Sequence, residues 1–202
     1  MAVSQMPEKV TRASGPSKSL DGKHSPGELL TIQSTGMGGP SAAIVIAELA
    51  DLGARRLLRV GTCGALDPAL ELGDLLVVTG AISDDGTSRA LASDAALAPD
   101  PALLDALLGA GGDRVRTGAV VSTDLFYDGP EGEEERWIAA GAIAVEMETA
   151  TLLALASVRG LEAGSLLLVS DLLLGSRTRI GAEALRAGEH RLGELAVNAL
   201  RR

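Results

Sequence analysis

Aromatic side chains are nearly absent: Phe126, Tyr127 and Trp137 are all that 202 residues contain. The core must therefore be built from Leu, Val, Ile and Ala. Two of the three stand side by side, which marks Phe126-Tyr127 as a segment of interest. The single cysteine, Cys63, excludes an internal disulfide and fits a reducing compartment. Basic runs beyond pairs such as Arg55-Arg56 and Arg201-Arg202 are lacking, and the formal net charge is -9. A surface that neutralises rows of phosphates needs clustered Lys and Arg, so no nucleic acid partner is expected. Apolar stretches such as Ser165–Val169 and Leu75–Val78 fall far below the ~20 residues that cross a bilayer, so no membrane partner is expected. The first 28 residues are polar and lack the apolar centre of a signal peptide, which leads to an expected cytoplasmic location. His24 and His190 are isolated and no metal-ligand spacing occurs, so neither metal nor cofactor is expected.

What is present is a chain long enough for one sizeable core, with hydrophobic residues making up 46% of it. From Leu29 onward, short apolar runs alternate with longer amphipathic ones. Leu29–Gln33, Arg56–Val60, Asp74–Ile82, Val115–Ser122 and Ser165–Val169 read as strands. Ser41–Leu52, Pro101–Leu108, Gly132–Ala140, Glu148–Val158 and Ala182–Leu200 read as helices, the last with Leu185, Leu192, Leu195 and Ala199 on one face. Alternating strands and helices predict an α/β fold with a parallel or mixed sheet. The expected organisation is a polar segment over residues 1–28 and one α/β domain over 29–202. Glycine- or serine-rich turns at Thr35–Pro40, Gly61–Ala65 and Ser170–Asp171 each follow a strand. Ligands in such sheets collect at the carboxyl ends of strands, so the three turns should converge.

Four motifs carry candidate chemistry, and each also has an ordinary structural account. Gly36-Met37-Gly38-Gly39-Pro40-Ser41 opens a helix, where backbone N–H groups and the helix end suit an anion; glycines serving turn geometry alone are the alternative. Arg59 stands near the end of a buried strand, where a cation needs an anionic partner, and Thr62 adds a hydroxyl between two glycines. A carboxylate partner for Arg59 is the alternative there. Glu146 and Glu148, at i and i+2, point the same way from a strand end and suit the vicinal hydroxyls of a ribose; they also suit a helix start. Asp171 closes an apolar strand, where desolvation is expected to raise its pKa toward general-acid use, unless it is only a helix cap. Cys63, with no histidine near it in sequence, reads as a packed thiol.

In their order, Ser34–Ser41, Leu58–Ala65 with Arg59-Val60-Gly61-Thr62-Cys63-Gly64, Asp124–Tyr127, Val145–Ala150 with Glu146-Met147-Glu148, and Val169–Asp171 resemble the nucleoside phosphorylase family, purine and uridine members alike. The resemblance covers about Leu29 to Asp171. It implies a three-layer α/β/α sandwich with a mixed central sheet, assembled as a homo-oligomer of dimers or trimers of dimers. It also implies an enzyme, a pentosyltransferase, that splits the N-glycosidic bond of a nucleoside with inorganic phosphate as co-substrate. Arg59 and Thr62 would then hold phosphate, and Met147 and Glu148 the ribose. Phe126, Val145, Glu146 and Ser170 would lie near the base, and Asp171 would donate a proton to purine N7.

Uridine-specific members carry a Gln and an Arg shortly after Phe-Tyr, whereas here Asp128-Gly129-Pro130-Glu131-Gly132 follows. Pyrimidines also lack N7, so a purine nucleoside is favoured. Met6-Pro7-Glu8-Lys9-Val10-Thr11-Arg12-Ala13 is similar to the family's N-terminal phosphate loop, which makes Arg12 a third phosphate candidate. Glu8 and Lys9 replace the loop's glycine and aspartate, and Lys18 or Lys23 alone would replace a second arginine. Arg177, Arg179 and Arg186 are all candidates to assist Asp171. The alternatives are a uridine phosphorylase, a hydrolytic nucleosidase, and a nucleoside-binding protein of weak activity.

Overall fold

The computed structural model describes residues 2–6, 29–92 and 97–201. Arg12, with Glu8, Lys18 and Lys23, lies outside them. Two strands come first, β1 (Ala2–Met6) and β2 (Leu29–Gln33), followed by α1 (Gly39–Asp51), β3 (Arg56–Ala65) and β4 (Leu75–Asp84). Next come α2 (Gly86–Leu91), α3 (Pro101–Gly111), β5 (Val115–Thr123), α4 (Glu133–Ala139) and β6 (Ala142–Glu146). The chain ends in α5 (Thr149–Arg159), β7 (Glu162–Leu172), β8 (Thr178–Arg179) and α6 (Ala182–Leu200). The fold is mixed α/β, as the alternating pattern predicts. β1 falls within the segment read as separate from the main domain, yet it pairs antiparallel with both β2 and β3.

The eight strands run in the order β2-β1-β3-β6-β5-β4-β7-β8, and β3 also pairs in parallel with β7. That second pairing closes β3, β6, β5, β4 and β7 into a ring. Its interior holds Cys63, Ala65, Leu76, Val78, Val120, Ala144, Leu167 and Val169. Outside the ring, alternation divides the strands between two further clusters. Leu57 packs with α1 and α5, whereas its neighbour Leu58 packs with α3 and α6. Such strands, buried on both faces, read as unbroken apolar runs. Leu166, Leu167 and Leu168 are all fully buried, each contributing roughly 1.5–3 kcal/mol. Trp137 is the one aromatic in the core among the described residues, while Phe126 and Tyr127 stay exposed.

Two readings of local structure need correction. Gly61–Ala65 is not a turn but the second half of β3. It keeps partners on β7 from Gly61↔Leu167 to Ala65↔Leu172, with a register shift after Cys63, and Gly64 and Ala65 also face β6. Ladder partners on both sides hold extended a stretch whose glycines suggested a break. The short α2 was not anticipated; Asp85 caps it by accepting the Ser88 N–H at 2.7 Å. The expected convergence survives, because Cys63 lies opposite Val169 and Gly64 opposite Asp171. Among the described residues no helix is long and apolar enough to cross a membrane.

Candidate active site

Arg59 is almost wholly enclosed, with 8% of its surface exposed, so its charge must be met from within the protein. Its Nε donates to Glu146 Oε2 at 2.7 Å and its Nη2 to Glu148 Oε2 at 2.6 Å. The two carboxylates reach one side of β3 because β6 ends at Glu146 and α5 begins three residues later at Thr149. Gly61 makes this possible. It lies two residues after Arg59 on the same strand face, and a Cβ there would overlap Arg59 Nη1. The arginine thus lies along its own strand.

The carboxylates are further supplied with donors. Glu146 accepts the Ser122 hydroxyl and the backbone N–H groups of Glu148 and Thr149, at 3.0 Å and 2.9 Å to Oε2. Glu148 Oε1 accepts the Gly38 N–H at 2.5 Å, which joins the α1 turn to the site. Gly38 has φ 83, a left-handed conformation that glycine adopts without strain. Burial alone pushes the Glu146 carboxyl upward, but Arg59, the Ser122 hydroxyl and the Glu148 N–H outweigh it and hold the group below the usual carboxylate range. For Arg59, burial works against the charge, and the two glutamates more than offset it, so its pKa is raised. Burial likewise pushes the Cys63 thiol up, and a neutral thiol is no nucleophile.

About the carboxyl end of β7 lies a second group. Ser170 donates to Asp171 Oδ2 at 2.8 Å, while Arg177 Nε and Arg179 Nε donate to Oδ1 at 3.1 Å and 2.8 Å. The Arg177 guanidinium stands 4.8 Å from the centre of the Phe126 ring, and that of Arg179 stands 5.9 Å from it. Phe126 meets Tyr127 edge to face at 4.7 Å. Here the structure corrects the expected pKa of Asp171. Burial does push it up, but Ser170, Arg179 and Arg177 outweigh burial, and the carboxyl is held below its ordinary value. With these donors around it, Asp171 is an ionised acceptor. Among the described residues, Arg177 and Arg179 are the arginines that reach it, and Arg186 is not one of its partners.

Not every expected residue joins these groups. Thr62 is exposed and has no hydrogen bond to Arg59 or its glutamates among the described residues. Met147 and Val145 are half-buried, with Val145 packed near Trp137. Several residues went unforeseen. Ser122 links Glu146 to the Ala150 N–H at 2.8 Å, and Thr149 meets Ser165 at 3.0 Å. Asp84 fixes α4 by accepting the Trp137 indole N–H at 2.6 Å and an Arg136 N–H at 2.8 Å. A hydroxyl near the end of an apolar strand was the available signal for Ser122, and one at the head of the apolar run Ser165–Val169 for Ser165. Nothing in the local sequence foretold Asp84. No group of three or more His, Cys, Asp or Glu among the described residues is placed to hold a metal.

A closed strand ring carrying a buried Arg–Glu–Glu cluster and an Asp–Arg–Arg cluster at strand ends defines the architecture of this α/β protein. Comparison with known proteins identifies the class. Residues 18–201 match the model of the phosphorylase superfamily, and the chain belongs to that family. It is similar to guanosine phosphorylase of Halorubrum lacusprofundi, 42% identical over 159 residues that cover 77% of this chain and 66% of that protein, just under two thirds of its length. Uridine phosphorylase of Klebsiella aerogenes is 36% identical over 205 residues, 91% of this chain and 77% of that protein. A DeoD-type purine nucleoside phosphorylase of Alkaliphilus metalliredigens is 36% identical over 159 residues, 75% and 68% of the two lengths.

Proposed function

We propose that this chain cleaves the N-glycosidic bond of a nucleoside with inorganic phosphate, releasing the base and ribose 1-phosphate, and that purine nucleosides are favoured. The observation that carries this reading is the Arg59 cluster: a buried cation whose partners are two carboxylates, one of them also tied to the Gly38 turn. A cation suits an oxyanion and a carboxylate suits a diol. In the structure they satisfy each other through Arg59–Glu148. Substrates divide the pair, Arg59 turning toward phosphate and Glu148 accepting from the ribose hydroxyls. Glu146, held by Ser122 and three N–H contacts, keeps Arg59 in place throughout. Thr62 and Arg12 are the further phosphate ligands of this reading, and Met147 walls the ribose.

A phosphate oxygen attacks the anomeric carbon, and the bond to the base breaks with its electron pair going to the base. Positioning and charge placement lower this barrier. Phe126, Val145 and Ser170 border the base, and Asp171 faces N7. Once its Oδ1 loses the arginine contacts, burial raises the proton affinity of Asp171, and the carboxylate takes a proton from solvent and passes it to N7 of the leaving base. The purine preference draws support from the missing Gln and Arg after Tyr127 and from the guanosine phosphorylase named above. Uridine is the second reading, favoured by the two guanidinium groups beside Phe126, which suit uracil carbonyls.

The reading also takes the protein to be a cytoplasmic homo-oligomer, in keeping with its lone cysteine and with Leu30 and Ile32 exposed on β2. The deciding experiment offers inosine, guanosine, adenosine and uridine with and without phosphate. Phosphate-dependent release of base with ribose 1-phosphate is expected. Free ribose without phosphate would make it a hydrolase, and binding without turnover would make it a binding protein. Light scattering tests the oligomer.

A further inference from the structure

The segment from Asp124 to Gly132, which carries Phe126 and Tyr127, is exposed along its whole length. It has no core of its own, so its place is set by the guanidinium groups beside Phe126 and by its two ends. Both ends are tied to one short stretch, Asp84–Gly86, where β4 finishes. At the near end, Asp124 Oδ2 accepts the Gly86 N–H at 2.8 Å. At the far end the segment runs into α4, whose buried residue is Trp137. The Trp137 indole N–H donates to Asp84 Oδ2 at 2.6 Å. Between the two attachments, Asp85 is fully buried and caps α2.

Asp84 also accepts N–H groups from Arg89 at 3.1 Å and Arg136 at 2.8 Å. Those two side chains are 52% and 58% exposed, and such pairs contribute little. Trp137 is 4% exposed. An indole N–H buried there without an acceptor carries its full desolvation cost, so this bond decides where α4 sits. Burial pushes the Asp84 carboxyl up, but Trp137, Arg136 and Arg89 outweigh it and hold the group below its ordinary value. The acceptor is therefore a carboxylate, which makes the indole bond stronger than one to a neutral oxygen.

We propose that Asp84 is a positioning residue for nucleoside binding: by holding Trp137, and α4 with it, Asp84 fixes the far end of the segment that presents Phe126 and Tyr127 to the base. The inference rests on the phosphorolysis reading and deepens it. Asp84 itself touches no substrate in that reading. A loosened α4 lets Phe126 drift from the base in the bound and the reacting states alike. Binding is then lost without loss of bond cleavage, so KM rises and kcat holds. The phosphate side is held separately, by the Arg59 cluster on β3 and at the end of β6.

The test measures kcat and the KM values for inosine and phosphate in the full chain and in Asp84→Ala, Asp84→Asn and Trp137→Phe. Asp84→Ala removes the acceptor of the bond and Trp137→Phe its donor. Each should raise the inosine KM roughly 10-fold, the worth of a hydrogen bond to a charged group, with kcat and the phosphate KM near parent values. The double variant should be no worse than the more affected single one, because both delete the same contact. Asp84→Asn keeps an acceptor for the indole and should recover much of the affinity. Trp137 is the only tryptophan in the chain, so its emission separates a folded Asp84→Ala from one that has lost its core. If that variant does not fold, Trp137→Phe decides alone. An inosine KM at the parent value in Trp137→Phe overturns the proposal, as does a fall in kcat with KM unchanged, the mark of a merely structural loss. If the parent chain cleaves no nucleoside, the phosphorolysis reading falls and calorimetry with inosine decides the rest. Binding roughly 10-fold weaker in Trp137→Phe upholds the positioning role, and equal binding sinks it. A parent chain that binds no inosine sinks both.

Discussion

The Arg59 cluster and the Asp171 cluster hold similar groups in opposite conditions. Both pair arginine with carboxylate at a strand end. The first is enclosed, and every carboxylate oxygen in it has a named donor on the protein. In the second, the arginines come from the short β8 strand and the turn before it, with much of their surface in solvent. Enclosure makes an ion pair expensive to break, because a charge left alone cannot be rehydrated. Exposure makes one easy to exchange, since water accepts whichever partner is released. The same chemistry thus gives a fixed anchor in the enclosed Arg59–Glu146 pair and an exchangeable contact in the part-exposed Asp171 pairs.

The contrast is open to attack, beginning where the largest effect is expected. Arg59→Ala leaves Glu146 and Glu148 buried without their cation and should cost roughly 3–5 kcal/mol of stability in urea denaturation. A loss below about 1 kcal/mol would show that the cluster is not the anchor described. Asp171→Asn should cost only about 0–1 kcal/mol of stability, the usual worth of a part-exposed pair, and slow purine nucleoside cleavage by roughly 10²–10⁴-fold. Cleavage at the parent rate would remove Asp171 from the chemistry. Gly61→Ala should displace Arg59 from its strand and cost about 1–3 kcal/mol through overpacking, with weaker phosphate dependence of the rate. Parent-like behaviour in both would show that Arg59 has room to spare.

Acid should separate the clusters more gently. Glu146 and Asp171 both have folded pKa values below their ordinary 4.5 and 3.8. Their contribution to stability is complete above those ordinary values and lost as pH falls through the depressed ones. Stability measured from pH 6 downward should therefore decline below about pH 4.5, and less steeply in Glu146→Gln. An identical pH profile in that variant would assign the acid sensitivity elsewhere. The smallest effect is expected from Arg177→Ala, at about 0–1 kcal/mol of stability, the usual worth of a part-exposed pair. A larger loss would mean that the open end of the site is as rigid as the closed one.

Much of this was legible in the chain. The strands Leu57–Val60 and Leu166–Val169 announce themselves as apolar runs because both faces are covered. Glu146 and Glu148 were expected to point one way by strand alternation, and both do reach Arg59, although β6 ends at Glu146 and Glu148 caps α5. Legibility stopped where the deciding partner was distant in sequence. That β3 continues through Gly64 depends on β6 and β7, about 80 and 107 residues later, and glycines without that knowledge suggest a turn. The direction of the Asp171 pKa failed for a similar reason. Burial could be inferred from the strand around it, but the arginines that overrule burial arrive on a separate turn. Arg177 and Arg179 were named only as candidates, since spacing alone does not say which side chain folds back.

The ring of strands also sets the order in which the molecule can come into being. β3 and β7 pair through residues such as Arg56 and Glu162, 106 positions apart. At roughly 5–20 residues per second, a ribosome takes on the order of 5–20 s to make that intervening chain. Throughout that interval Leu57, Leu58 and Val60 have been synthesised, yet the strand that closes the ring beside them does not exist. Such long-range pairing is slow to form even in a finished chain. The nascent protein therefore carries an unsealed apolar strand for seconds, and a chain stopped before β7 has no ring to close. The Arg59 and Asp171 clusters are both complete only when the last third of the sequence has been made, so the ring closes and the two clusters assemble in the same step.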